Sequence, residues 1–336
     1  MKVDAPLYSF EAPEDEVRRL EAEGYAGAFT YEGPHDPFFP LLLAARASQS
    51  IDLYTAVAIG FARNPMILAN IGWDLQAISK GRFLLGLGTQ IKPHIEKRFD
   101  MPWSKPATRM REMVLAIKAI WAAWENGERL DFRGEIYANT LMTPMFNPGP
   151  APHGLPPIFL AGVGPRMTEV CGEVADGFFV HPFSTSRSFA ELTLPALDRG
   201  LEEGARDRDA FSISLQVMVC TGANDEEIEQ ARQSTKQQIA FYGSTPAYRP
   251  VLDCHGWGDL QQELNTLTKQ GKWGEMNALI SDELLEEIAV CAPIGEVAKR
   301  VFERAQGRAD RVSLVAHWTR DPELWDDVVR DLSGVD

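Results

Sequence analysis

The sequence predicts an α/β fold, a (β/α)8 TIM barrel forming a single domain over residues 1–336 with two insertions. Three observations point to it. Apolar runs of about four to seven residues alternate with helix-length amphipathic segments, the pattern of parallel strands joined by crossover helices. Eight runs of this kind occur, and eight strands close such a barrel. The polar residues with chemical potential fall just after the runs, at the strand C-terminal ends where a barrel builds its site. The length could hold two average domains, but barrels of this class routinely run this long as one unit.

The elements follow in order. Val3 to Leu7 is the first strand. Pro13 with Glu14, Asp15 and Glu16 starts a helix, since proline needs no N–H partner there and acids face the positive helix end; Gly24 stops it. Gly27 to Tyr31 is the second strand, and Asp36-Pro37 sets a capping side chain before a first-turn proline. Leu53 to Ile59 is the third, followed by the same signal in Asn64-Pro65, and Phe83 to Leu87 is the fourth. The helix from Thr108 to Trp124 carries Met110, Met113, Val114, Ile117, Ile120, Trp121 and Trp124 as one apolar stripe, read as core with no cofactor role.

The pattern breaks over Leu130 to Tyr137 and a Pro- and Gly-rich loop, so residues 130–157 read as an inserted excursion. Pro157 to Ala161 is the fifth strand, Pro165 to Ala175 a helix, Gly177 to Val180 the sixth strand and Arg187 to Glu203 a helix. Ser212 to Cys220 is the seventh strand, and Asn224 caps a helix to about Tyr242. A second insertion, residues 244–291, reads as helical, polar and spotted with aromatics. Pro293 to Ala305 is a helix, Arg311 to Ala316 the last strand, and Pro322 to Leu332 a final covering helix. Both insertions are expected over the C-terminal face of the strands.

Composition excludes several classes. With 45% hydrophobic and 24% charged residues the chain is ordinarily globular, and no window reaches the ~18 uninterrupted apolar residues of a membrane span. A formal charge of −15 argues against a nucleic-acid binder, which needs a broad basic face. The N-terminus Met1-Lys2-Val3-Asp4-Ala5-Pro6 lacks a secretory apolar core, so a cytosolic location is expected. Cys171, Cys220, Cys254 and Cys291 are scattered without Cys-x-x-Cys spacing, which fits reduced thiols and no metal site.

Against this acidic background, residues 87–111 hold six basic side chains (Lys92, Lys97, Arg98, Lys105, Arg109, Arg111) and two acids (Glu96, Asp100). Such a reversal suggests an anionic ligand. Gly162-Val163-Gly164-Pro165-Arg166 joins a strand to a helix, so free backbone N–H groups would face the mouth as a phosphate cradle; a tight turn alone also favours glycine. Arg166 opposes the positive helix end, which makes sense with an anion bound. An imidazole is the side chain suited to moving a proton at physiological pH, so His35 is a candidate proton carrier, or is merely solvated; Asp36 is either catalytic or a cap. Glu96 is an acid/base candidate or one member of a solvated charge cluster.

Thr55 to Pro65 and Ser79 to Gly88, supported by Tyr31-Glu32, His35-Asp36-Pro37-Phe38, Gly162-Val163-Gly164-Pro165 and Gly172 to Gly177, resemble the bacterial luciferase-like superfamily. Within it the chain is similar to the coenzyme F420-dependent oxidoreductases. The resemblance implies hydride transfer between the deazaflavin C5 and a small organic substrate. It implies a non-proline cis peptide at Ala56–Val57, with Ala56, Val57 and Ala58 backing the ring and Gly88 beside them at the fourth strand's mouth. It places the phosphate at Gly162, Val163, Gly164 and Arg166, sets Arg63 and Asn64 near ring or tail, and casts His35, Asp36 and Glu96 as catalytic. Flavin mononucleotide (FMN) shares the ring system and ribityl phosphate, so a flavin-dependent monooxygenase is the alternative; a non-catalytic cofactor-binding barrel is the third reading. Lys92, Lys97 and Arg98 would suit the carboxylate tail of F420 or an anionic substrate. A homodimer is implied. The aromatics Phe146, Tyr242, Tyr248, Trp257 and Trp273 suggest an apolar or ring-bearing substrate.

Overall fold

Eight parallel strands close into a ring in the computed structural model, which describes residues 1–316 and 324–334. They are β1 (Lys2–Pro6), β2 (Gly27–Thr30), β3 (Asp52–Thr55), β4 (Phe83–Gly88), β5 (Ile158–Ala161), β6 (Gly177–Val180), β7 (Ser212–Cys220) and β8 (Arg311–Val315). Each pairs with the next, and β8 returns to β1 through the register Val3 to Val312. Covered by helices outside and filled inside, these strands are buried on both faces, which is why they read as near-continuous apolar runs. Inside the ring Phe29, Tyr54, Leu84, Phe159 and Phe179 form their own cluster, with Tyr54 and Phe179 stacked at 5.6 Å.

The covering helices include α1 (Pro13–Ala22), α2 (Phe38–Ala47), α3 (Pro65–Ile78), a short α4 (Lys92–Lys97), α5 (Pro106–Asn126), α6 (Pro165–Val174) and α7 (Leu194–Glu203). The apolar stripe of α5 is fully in the core: Met110, Met113, Val114, Ile117 and Ile120 expose nothing. Each such side chain contributes about 1.5–3 kcal/mol of transfer free energy.

Several expectations are corrected. The third strand does not run unbroken to Ile59: it stops at Thr55, a cis peptide lies at Ala56–Val57 as the resemblance implied, and Ala58–Ile59 resumes pairing with β4. The basic run after β4 includes a short helix, Lys92–Lys97, which the sequence reading did not mark. The excursion over 130–157 makes a small antiparallel hairpin, Phe132–Arg133 with Ala138–Asn139, that lies along α5, where the Glu112 carboxylate accepts from the N–H groups of Glu135, Ile136 and Tyr137.

The second insertion is helical, with α8 (Asp225–Gly243) leading into α9 (Arg249–Asp253), α10 (Gly258–Lys269), α11 (Trp273–Asn277) and α12 (Asp282–Ile288). It ends in a short strand, Ala289–Cys291, that pairs with the end of β7. Then come α13 (Ile294–Ala305), β8 and α14 (Asp326–Ser333). The expected start of the last helix at Pro322 lies outside the described residues.

The strand-entry end holds a charged cluster. Arg311 of β8 donates through Nε and Nη2 to both oxygens of Asp4 on β1, each at 2.7 Å, and through Nη1 to Asp52 on β3 at 2.7 Å. Tyr54 Oη donates to Asp4 at 2.8 Å. Gly27 on β2 makes room: a Cβ there would stand 2.5 Å from both Arg311 Nη2 and Asp4 Oδ1.

Candidate active site

At the opposite end of the barrel the break in β3 is clasped by the loop after β2. The Glu32 N–H donates to the Val57 carbonyl at 3.2 Å, and Glu32 Oε2 accepts from the Ile59 N–H at 2.7 Å. Arg63 completes the clasp, donating through Nη1 to Glu32 at 2.6 Å and to the Ile59 carbonyl at 3.1 Å, and through Nη2 to Asp36 at 2.8 Å. Its guanidinium lies 5.3 Å above the Phe38 ring. Burial pulls the Arg63 pKa down, but Glu32 and Asp36 outweigh it and the net direction is up, so the group is a fixed cation.

The β4 backbone passes close below. A Cβ on Gly86 would overlap the Thr55 carbonyl oxygen, and one on Gly88 would stand 2.6 Å from Val57 Cγ2. Thr55 Oγ1 ties the two strands, donating to the Gly86 carbonyl at 2.6 Å and accepting its N–H at 3.0 Å. Only glycine lets β4 approach the broken strand this closely.

A cavity of about 300 Å³ opens beside the C-terminal ends of β5 and β6, within the range of small-molecule sites. One wall is the Gly162–Val163–Gly164–Pro165 loop, where Gly164 has φ +87° with nothing within 4 Å of a notional Cβ. No side chain caps α6, so its first-turn N–H groups and dipole favour an anion. A second wall is a π-helical turn, Phe189–Thr193, and a third is Tyr248 and Val251 of the second insertion. Irregular helical turns of this kind are frequent at functional sites.

His181, immediately after β6, lines the same cavity. Its Nδ1 accepts from the Phe183 N–H at 3.0 Å, and its ring packs at 4.6 Å from Tyr242 and 4.7 Å from Tyr248. Burial pushes its pKa down to about 3. The ring is therefore neutral near pH 7, and the Nδ1 acceptor assigns its proton to Nε2.

The structure brings some predicted residues together and separates others. Ala56, Val57 and Ala58 lie against β4 at Gly88, and Arg63 meets Asp36. Gly162, Val163 and Gly164 line the cavity. Asn64 caps α3 as its place before Pro65 led us to expect, accepting from the Ile67 N–H at 2.9 Å. Arg166 turns along α6 to Glu169 at 2.9 Å, away from the loop. Glu96 is exposed on α4, 3.7 Å from Lys92, and His35 is exposed at the rim, stacked on Phe10 at 4.0 Å.

The basic run does not form one patch. Arg109 is buried, donating to Tyr137 Oη and to the carbonyls of Pro102 and Phe61; Arg111 pairs with Glu173 and Lys105 with Glu135. That leaves Lys92, Lys97 and Arg98 at the surface, with Arg98 donating to the Gly33 carbonyl at 2.8 Å. Of the aromatics singled out in the sequence, Tyr248 lines the cavity and Tyr242 backs His181, whereas Phe146 and Trp273 are exposed. Sequence reasoning missed Glu32 and His181 as functional residues. His181 directly follows β6 and Glu32 lies two residues past β2, the same signal that singled out His35. Among the described residues no three His, Cys, Asp or Glu side chains are placed to hold a metal ion, and no helix is long and apolar enough to cross a membrane.

Comparison with known proteins fits this geometry. An uncharacterized protein of Mycobacterium tuberculosis is 55% identical over 298 residues, 89% of this chain and 88% of that one. A 5,10-methylenetetrahydromethanopterin reductase of Archaeoglobus fulgidus is 27% identical over 279 residues, 81% of this chain and 79% of that one. The coenzyme F420-dependent tetrahydromethanopterin reductase of Methanopyrus kandleri has the same fold, with a TM-score of 0.77 at 18% identity over 99% of this chain and 97% of that one. The family profile described as luciferase-like monooxygenase matches residues 6–311, and the chain belongs to that family.

Proposed function

We propose that this protein is a coenzyme F420-dependent oxidoreductase acting on a small organic substrate. The observation that carries the reading is the cavity walled by Gly162–Pro165 at the uncapped start of α6. Its residues fit the group: the glycine loop and the first-turn N–H groups would hold the ribityl phosphate, and Arg199 lines the same cavity. An F420-dependent glucose-6-phosphate dehydrogenase of Mycolicibacterium smegmatis, 26% identical over 213 residues, supports the cofactor class. When bound, the deazaflavin would supply hydride transfer at C5.

The chain's own residues divide the remaining work. Glu32 and Arg63 hold the Ala56–Val57–Ala58 bulge that would back the ring, and Asp36 holds Arg63. His181 offers a neutral N–H donor to an acceptor in the cavity. His35 at the rim would carry a proton between substrate and solvent. Glu96, on the outer surface of α4, is left out of this scheme.

Fluorescence titration with F420, run beside one with FMN, tests the reading. F420 is expected to bind saturably and FMN weakly, with Gly164→Val about tenfold weaker for F420, or ~1.4 kcal/mol. Tight FMN binding with oxygen-dependent turnover would replace the reading by a flavin monooxygenase. Binding of neither would remove both.

A further inference from the structure

The second insertion leaves and rejoins the barrel at two cysteines. Cys220 is the last residue of β7, Cys291 ends the short strand Ala289–Cys291, and the two are register partners in a parallel pair. Neighbouring strands lie about 4.8 Å apart, inside the Cα separation that a disulfide spans. Register partners project to the same face, which sets the two thiols side by side, with Thr235 of α8 near Cys220. Arg232, held by Asp282 at 2.9 Å and Glu286 at 3.2 Å, lies beside them. Both thiols are free, Cys220 buried and Cys291 half-exposed. The other two cysteines are differently placed: Cys171 is buried on α6 and bonded to the Met167 carbonyl, and Cys254 follows α9.

We propose that Cys220 and Cys291 are a redox modification site, closed to a disulfide by hydrogen peroxide or an organic hydroperoxide. One of the two sulfurs attacks the peroxide, the O–O bond breaks, and that cysteine becomes a sulfenic acid with release of water or an alcohol. The other sulfur then attacks the sulfenic sulfur; the S–S bond forms, the S–O bond breaks, and hydroxide leaves as water with the attacking thiol's proton. Two electrons pass from the two sulfurs to the peroxide. The link ties residues 221–290 into a loop anchored on β7. That stretch carries Tyr242 and Tyr248, which pack on His181, so the disulfide fixes the roof of the cavity.

The test uses the reduced full-length protein treated with hydrogen peroxide, then alkylated and mapped by peptide mass. Two of the four thiols are expected to disappear. A Cys220–Cys291 cross-linked peptide is expected to form and dithiothreitol to reverse it, with a thermal midpoint about 5 °C higher in the oxidised form. The Cys171→Ser/Cys254→Ser variant should still form the link, and Cys291→Ser should not. Four thiols remaining, Cys291 ending as a sulfinic or sulfonic acid, or a link from Cys291 to Cys254 would overturn the proposal. These readouts need no cofactor and are independent of the proposed activity.

Discussion

Arg311 and Arg63 stand at opposite ends of one barrel and are built alike, each forked onto two carboxylates, yet their surroundings differ. Arg311 bridges three strands, with its side chain 5% exposed and that of Asp4 fully buried. Arg63 bridges loops; Asp36, its second partner, is 37% exposed. One arginine closes a ring of strands and the other shapes a mouth. A desolvated ion set tolerates no missing member, whereas a partly wet one lets water replace a lost partner.

The largest expected effect breaks the strand-entry cluster. Arg311→Met leaves Asp4 buried and unpaired and should cost about 3–5 kcal/mol in urea unfolding. A companion Asp4→Asn/Arg311→Met variant should recover part of it, since both charges then go together. A single substitution costing under about 1 kcal/mol would erase the distinction between the two ends. Arg63→Met comes next, at about 1–3 kcal/mol, because water reaches Asp36. Its cofactor affinity should fall too, measurable in the same fluorescence titration, while Arg311→Met protein that folds should bind unchanged.

The smallest effect is a pH dependence at the mouth. The folded pKa of His181, near 3, lies below the ordinary histidine value of 6.5. Its contribution to stability is fully present above pH 6.5 and declines as pH falls from 6.5 toward 3, because the unfolded chain takes the proton first. Thermal midpoints from pH 7 to 5 should fall more steeply for the wild type than for His181→Asn. Parallel curves would show that the ring is not held neutral by burial.

The barrel was legible because both of its periods are strong: buried parallel strands announce themselves as apolar runs, and α5 carries an unbroken stripe. Backbone signals read equally well, as the Asn64 cap shows. The charged residues were harder. Six basic side chains close in sequence scatter in space, since a helix turns its residues about 100° at each step and α5 sends Arg109 inward and Arg111 toward Glu173. The clasp on the broken strand joins Glu32 to Ile59 and Arg63, and the cavity joins residue 162 to residue 251; neither pairing leaves a local pattern. The short Ala289–Cys291 strand went unseen for the same reason, being too brief to show a period of its own.

Gly27 has a consequence for how this chain can vary. The space that a side chain would need there is filled by the Arg311–Asp4 pair. The positions are therefore free only jointly: alanine at 27 is a clash while Arg311 and Asp4 remain, and shortening Arg311 alone still leaves the Asp4 oxygen and the Tyr54 ring in the way. The effect of a substitution at 27 thus depends on the residues at positions 4 and 311 together, and no single change opens the route to a larger residue there.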